Sequence, residues 1–243
     1  MIWVGLRVAV LVSALAQSLP SGLTIPVMVS TSLNASRDAA GKKVEGRVME
    51  EVALPSGAKI SKGARLSGRI VKVTKAGKSG SSLVVKFESI EDEGGAIAVT
   101  ARLLAVASMS SVAEAQAPIN LSADRDPQTQ WATRQVGGDV VRRGWGKVAS
   151  AGGVMGTWSQ ENGVLIKLTP NPKAGCPETE GYEREQAVWV FSCAACGAYG
   201  LGDLKIASSG ASPPQGEIEL TSGKNVAIRG GSGWLLLTVA SEH

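Results

Sequence analysis

The chain has 243 residues, 44% of them apolar, 19% charged and 4% aromatic, with 30 glycines and a formal net charge of +4. That balance excludes a disordered chain, which is poor in apolar residues and rich in charge, and the glycines follow no period of three, which excludes a collagen-like repeat. The one histidine is His243; Ser-His-Asp triads, histidine general bases and imidazole zinc sites are set aside with it.

Residues 1–16 read as an export signal. Arg7 supplies the charge, Val8–Leu15 the short apolar core, and Ala14 and Ala16 the small residues at the −3 and −1 positions of a cleavage site. Pro20, Ser21 and Gly22 stop this run short of the ~20 residues a membrane helix needs. The expectation is cleavage after Ala16, a mature chain from Gln17, an exported (periplasmic or extracellular) location and no integral membrane span.

Past the signal, Thr24–Ser30, Lys43–Val52, Ala64–Thr74, Ser82–Ile90 and Ala96–Val106 are rich in Val, Ile and Leu. Turn signals separate them at Ala39–Gly41, Pro55–Gly57, Lys78–Gly80 and Glu93–Gly95. Residues 109–135 are polar with two prolines; a short helix over Ser111–Gln116 is expected to stop at Pro118. Further strands are expected at Asp139–Arg143, Gly163–Thr169, Ala187–Cys193, Asp203–Ala207, Gly216–Leu220, Asn225–Arg229 and Trp234–Val239. The predicted class is all-β: two small antiparallel barrel or sandwich units, or one β-rich fold with a long connecting segment. The corresponding divisions are a signal at 1–16, a basic barrel-like domain at 17–108, a linker or excursion at 109–135, and a Trp- and Cys-containing domain at 136–243.

Residues 24–106 carry Ile25-Pro26, a strand ending Val48-Met49-Glu50-Glu51-Val52, and then Leu54-Pro55-Ser56-Gly57-Ala58-Lys59-Ile60-Ser61-Lys62-Gly63-Ala64-Arg65-Leu66-Ser67-Gly68. A strand with Phe87, the turn Gly94-Gly95 and an apolar strand follow. This third of the chain resembles the TrbI-like β-barrel domain of conjugation and type IV secretion channels. The sequence departs from that family in lacking its inner-membrane helix, its proline-rich arm and an amphipathic two-helix insertion. The resemblance therefore implies an envelope β-barrel module rather than a channel subunit, and it transfers no functional residue.

The three cysteines are Cys176, Cys193 and Cys196. Cys193-Ala-Ala-Cys196 has thioredoxin-like spacing, but Gly197, Gly200 and Gly202 follow it where such a motif needs a helix. The favoured reading is a structural disulfide, Cys176–Cys196, joining two loops, with Cys193 buried on its strand. A thiol-disulfide redox pair of Cys193 and Cys196 is the alternative. Ser56-Gly57-Ala58-Lys59 matches a Ser-x-x-Lys nucleophile in spacing but lies in a turn, where lysine cannot sit one helical turn from serine. Gly77-Lys78-Ser79 lacks the first glycine of a phosphate loop. No catalytic residue, metal site or cofactor is expected.

Residues 37–86 hold twelve Lys or Arg against Asp38, Glu45, Glu50 and Glu51. By period two, Arg65, Ser67 and Arg69 share one strand face, with Lys59 and Lys62 at its entry turn. These four cations are the candidate site for an anionic partner, either an envelope protein or an anionic envelope polymer; the competing role is a solvated, aggregation-resistant face. Nucleic acid is not expected, because this half has no stacking aromatics beyond Phe87. Trp189 and Trp234 lie in apolar strands and read as core, while Trp131, Trp145 and Trp158 sit among polar residues and raise a carbohydrate-binding alternative. The function expected is a non-enzymatic scaffold or binding module of the cell envelope.

Overall fold

A computed structural model describes residues 18–119, 131–138, 140–144, 146–159, 163–176, 182–207 and 216–240. The export segment 1–16, the expected new terminus Gln17, most of the polar connection (120–130), Trp145, the Trp131 side chain and His243 lie outside the described residues.

The first strands are β1 (Thr24–Val29), β2 (Leu33–Asn34), β3 (Lys43–Val48), β4 (Val52–Ala53) and β5 (Lys59–Ile60). Two long strands follow, β6 (Arg65–Gly77) and β7 (Gly80–Asp92), then β8 (Gly95–Ala98), β9 (Ala101–Ala107) and helix α1 (Met109–Gln116). Beyond the helix come β10 (Trp131–Arg134), β11 (Val140–Gly144), β12 (Lys147–Ser150), β13 (Gly153–Ser159), β14 (Gly163–Lys167) and β15 (Glu185–Ala187). The last are β16 (Gly197–Tyr199), β17 (Lys205–Ile206), β18 (Glu217–Ser222), β19 (Ala227–Ile228) and β20 (Ser232–Thr238). The fold is all-β. Its helix begins at Ser108, whose side chain accepts the Ser111 amide at 3.1 Å, and it ends just before Pro118.

Ten strands make one large sheet in the order β16-β9-β20-β1-β3-β6-β7-β18-β17, with β8 added beside β7. The sheet curls so that its first and last strands approach, but among the described residues no ladder joins them, so the expected closed barrel is not formed there. Six further strands, β10 to β15, form an antiparallel meander in chain order. The large sheet takes strands from both sides of the 109–135 segment. Residues 136–243 are thus not a sheet system of their own, because residues 197–238 return to pair with β7, β9 and β1. This matches the description of one β-rich fold with a connecting segment.

Alternation decides what each strand buries. In β3, Val44, Gly46 and Val48 are buried while Lys43, Glu45 and Arg47 are exposed. The inward residues of β1, β3, β6 and β7 pack with Trp234 and Leu236 of β20 in one core. Leu235 and Leu237 of the same strand point the other way, into a second core with α1 and the meander. Every residue of β20 is buried, so it is the wall shared by two cores.

Gly68 is required by the β6–β7 pairing. A Cβ there would meet the main-chain carbonyl of Lys86 and lie 2.7 Å from the Phe87 Cα. Main chain cannot rotate aside, so Gly68→Ala is expected to destabilise by about 1–3 kcal/mol. A lowered urea midpoint with an unchanged m-value checks this; an unchanged midpoint refutes it.

Candidate functional site

The expected face forms on β6. Arg65 and Arg69 are exposed, Ser67 is half-buried, and Leu66, Gly68 and Ile70 point into the core. Antiparallel pairing sets Lys43 of β3 opposite Arg69, and Arg69 opposite Lys86 of β7. Three cations therefore stand in one cross-strand row, at the ~4.8 Å spacing of neighbouring strands. Four residues along, Arg47 stands opposite Arg65, and Arg65 opposite Glu91. Between the rows the hydroxyls of Ser67 and Ser89 meet at 2.9 Å.

The four predicted cations are not brought together equally. Arg65 and Arg69 share the sheet face; Lys59 lies on the separate β4–β5 ribbon, and Lys62 lies in the turn that leads into β6. Carboxylates also reach three of them. Lys59 pairs with Glu51 at 2.7 Å, Arg69 with Glu88 at 2.9 Å and Arg65 with Glu91 at 3.9 Å. These are exposed pairs, each worth about 0–1 kcal/mol and weakened by salt. Glu88 and Glu91 lie just past the basic run in sequence, and strand pairing carries them back onto it.

A second site was not singled out among the sequence candidates. Glu50 follows β3 in the inward phase of its alternation and is only 5% exposed. Its Oε1 accepts the Val164 amide at 2.9 Å and its Oε2 the Trp189 amide at 2.8 Å. Burial pushes the carboxyl up from 4.5 to about 7, while those two amides and the charges of Arg143 and Lys62 pull it down. Gly163 lies against the side chain, and a Cβ there would overlap the Glu50 carboxyl group. Trp189 is the one non-glycine residue with positive φ among those described, at 52°, an unfavourable backbone for a bulky side chain.

Cys176 and Cys196 form the expected disulfide. Cys193 is free and half-buried, and it lies in a turn rather than on a strand. The chain leaves the extended conformation after Ala187, because the turn at 188–191 carries Trp189 to Glu50. The CxxC cysteines are thus not bonded to each other; Cys196 is committed to Cys176. Trp234 and Trp189 are core residues as expected, and Trp158 is half-buried against the second core.

Among the described residues, no group of three or more His, Cys, Asp or Glu side chains is placed to hold a metal ion. No described helix is long and apolar enough to cross a membrane. No protein family, curated protein or solved structure matches the chain.

Proposed function

We propose that this chain is an exported, non-enzymatic binding module of the cell envelope, holding an anionic polymer on the exposed face of β3, β6 and β7. The observation that carries this reading is the row Lys43, Arg69 and Lys86, like charges set opposite one another across three adjacent strands. Such pairs lower the stability of a sheet by roughly 0.2–1 kcal/mol each. Glu45, Glu88 and Glu91 also lie on this face, and Glu217 stands opposite Lys86 on its other side, but within the row three cations stand side by side across adjacent strands. Export is supported by the residue 1–16 pattern and the Cys176–Cys196 disulfide. The resemblance of residues 24–106 to the TrbI-like domain belongs to the same reading, since those residues include all three strands of the face.

The row is tested by Lys43→Gln, Arg69→Gln and Lys86→Gln combined. Binding of polyphosphate to the wild type at ~50 mM salt is expected to disappear near ~1 M, where the Debye length falls to ~3 Å. The triple variant is expected to bind at least tenfold more weakly while folding as well as, or slightly better than, the wild type. Replacing Lys59 and Lys62 instead is expected to weaken binding less. Equal binding by the triple variant and wild type would leave the face as a solubility device.

A further inference from the structure

The exposed face that carries the cation row continues toward the hairpin end of β6 and β7, where its chemistry changes. Antiparallel pairing sets Thr74 of β6 opposite Ser82 of β7, Ser82 opposite Thr221 of β18, and Thr221 opposite Lys205 of β17. Three hydroxyls and an ammonium group therefore stand in one row across four adjacent strands. They point outward, because the chain neighbours Val73, Leu83, Leu220 and Ile206 pack on the core of the large sheet. Glu219, two residues before Thr221, lies on the same outward side. These five side chains line an open groove of about 390 Å³, a size within the roughly 300–1,000 Å³ range of small-molecule sites. Asp203 also lines it, with its Oδ1 accepting the Ser222 hydroxyl at 2.9 Å. We infer that this groove is a sugar-binding subsite. It holds a neutral, hydroxyl-bearing residue of the same polymer whose anionic groups rest on the Lys43–Arg69–Lys86 row, which makes that polymer an anionic polysaccharide; this rests on the reading of the basic face given above.

Three features favour a sugar over other ligands. The first is unspent hydrogen-bonding capacity: the side chains of Thr74, Ser82, Thr221, Lys205 and Glu219 make no hydrogen bond or ion pair with any described residue. Ser82 and Thr221 are half-buried even so. Each hydroxyl offers one donor and two acceptor sites, the ammonium group donates and the carboxylate accepts, a mixture that matches the donor-and-acceptor hydroxyls of a pyranose. The second is charge. Asp203 and Glu219 outnumber Lys205, so the groove does not extend the cation row, and it turns away a phosphate or carboxylate that a neutral polyol does not carry. The third is the wall itself: among the described residues no aromatic side chain lines the groove, which leaves hydrogen bonds rather than stacking to hold the ligand.

The two rows are placed to act on one chain. Lys86 and Ser82 are four residues apart on β7, a distance of about 13 Å at ~3.3 Å per residue. Between them lies the row Lys72, Val84 and Glu219. A polysaccharide running along β6 and β7 therefore meets cations first and hydroxyls next, in the order that suits alternating charged and neutral residues.

The test is calorimetric titration of the full chain at ~50 mM salt, where charge contacts are weakly screened. Hyaluronan is the probe, since it alternates N-acetylglucosamine with glucuronate; polyphosphate, which carries charge without sugar, is the control. Thr74→Val, Ser82→Ala and Thr221→Val combined are expected to weaken hyaluronan binding by about tenfold or more, the loss of one or two net hydrogen bonds, and to leave polyphosphate binding unchanged. Lys43→Gln, Arg69→Gln and Lys86→Gln combined are expected to weaken both. Equal hyaluronan binding by the groove variant and the wild type overturns the sugar subsite and leaves the basic face standing, as does a wild type that binds polyphosphate but not hyaluronan. Binding of neither polymer overturns both readings. Hyaluronan binding that the groove variant loses, with no polyphosphate binding at all, supports the groove and overturns the basic face. Should the groove variant fail to fold, the Thr74 and Thr221 methyl resonances of the wild type decide: shifts with hyaluronan and not with polyphosphate support the subsite, and unmoved resonances overturn it.

Discussion

Trp234→Ala is expected to lower the unfolding free energy by about 3–5 kcal/mol. The indole is fully buried, sits edge-to-face on Phe87 with ring centroids 5.8 Å apart, and donates from Nε1 to Ser232 Oγ at 2.9 Å. Phe87 is the one aromatic of residues 17–108, so the pair joins residues far apart in sequence across the core of the large sheet. Small neighbours such as Val27 and Val106 on the flanking strands have little freedom to fill the space left. Urea unfolding followed by far-ultraviolet circular dichroism measures the loss. Trp234→Phe keeps the ring and is expected to lose less than half as much. A midpoint for the alanine variant within error of wild type would show that β20 is not the wall between two packed cores.

The second large effect is the loss of the Cys176–Cys196 bridge. It closes a loop with a sequence separation of 20, for which the chain-entropy contribution is about 3 kcal/mol. That loop contains β15, Trp189 and Phe191, and the first two hold the meander against the large sheet. The Gln186 side chain donates from Nε2 to the Gly22 carbonyl at 2.9 Å, and Thr24 Oγ1 donates to the Ala187 carbonyl at 2.7 Å. A Cys176→Ser, Cys196→Ser variant is therefore expected to lose stability and to expose Trp189, seen as a red shift in fluorescence. Cys193→Ala is expected to change stability by under 1 kcal/mol, since that thiol is half-buried and unbonded. If the Cys193 substitution proved as costly as breaking the bridge, the assignment of structural roles to the three cysteines would be wrong.

Local pattern carried much of this architecture. The alternation through Val44, Val48, Leu66 and Ile70 marks the strands and their inward faces, and Arg65 and Arg69 fall outward as period two requires. The three cysteines, read with the loops around them, led to the correct pair. What local pattern could not carry is pairing between distant strands. Nothing around residues 197–238 says that β16, β18 and β20 return to the first sheet, because a ladder partner leaves no mark on its own segment. The same blindness affected the basic face. Lys43 and Lys86 are visible as charges but not as neighbours of Arg69, and Glu88 and Glu91 follow the basic run in sequence. Glu50 is legible in part: a carboxylate in phase with Val44 and Val48 is a charge on a core face. Its amide partners, 114 and 139 residues away, were not legible. β13 escaped notice because Gly153 and Gly156 break its apolar pattern; Gly156 is needed where a Cβ would strike the Leu165 carbonyl.

The pairing of β1 with β20 bears on how the chain is made. The hydrogen bond from the Leu23 amide to Thr238 Oγ1 spans 215 residues, and neither core has its shared wall until β20 is in place. At roughly 5–20 residues per second, a ribosome needs about 10–40 s to follow β1 with its partner. Throughout that interval the inward face of β1, with Ile25, Val27 and Val29, lacks the strand that covers it. Non-local sheets of this kind also fold slowly once complete. Completion of the large sheet is consequently a late event, set by the synthesis of the last strand rather than by the strands that precede it.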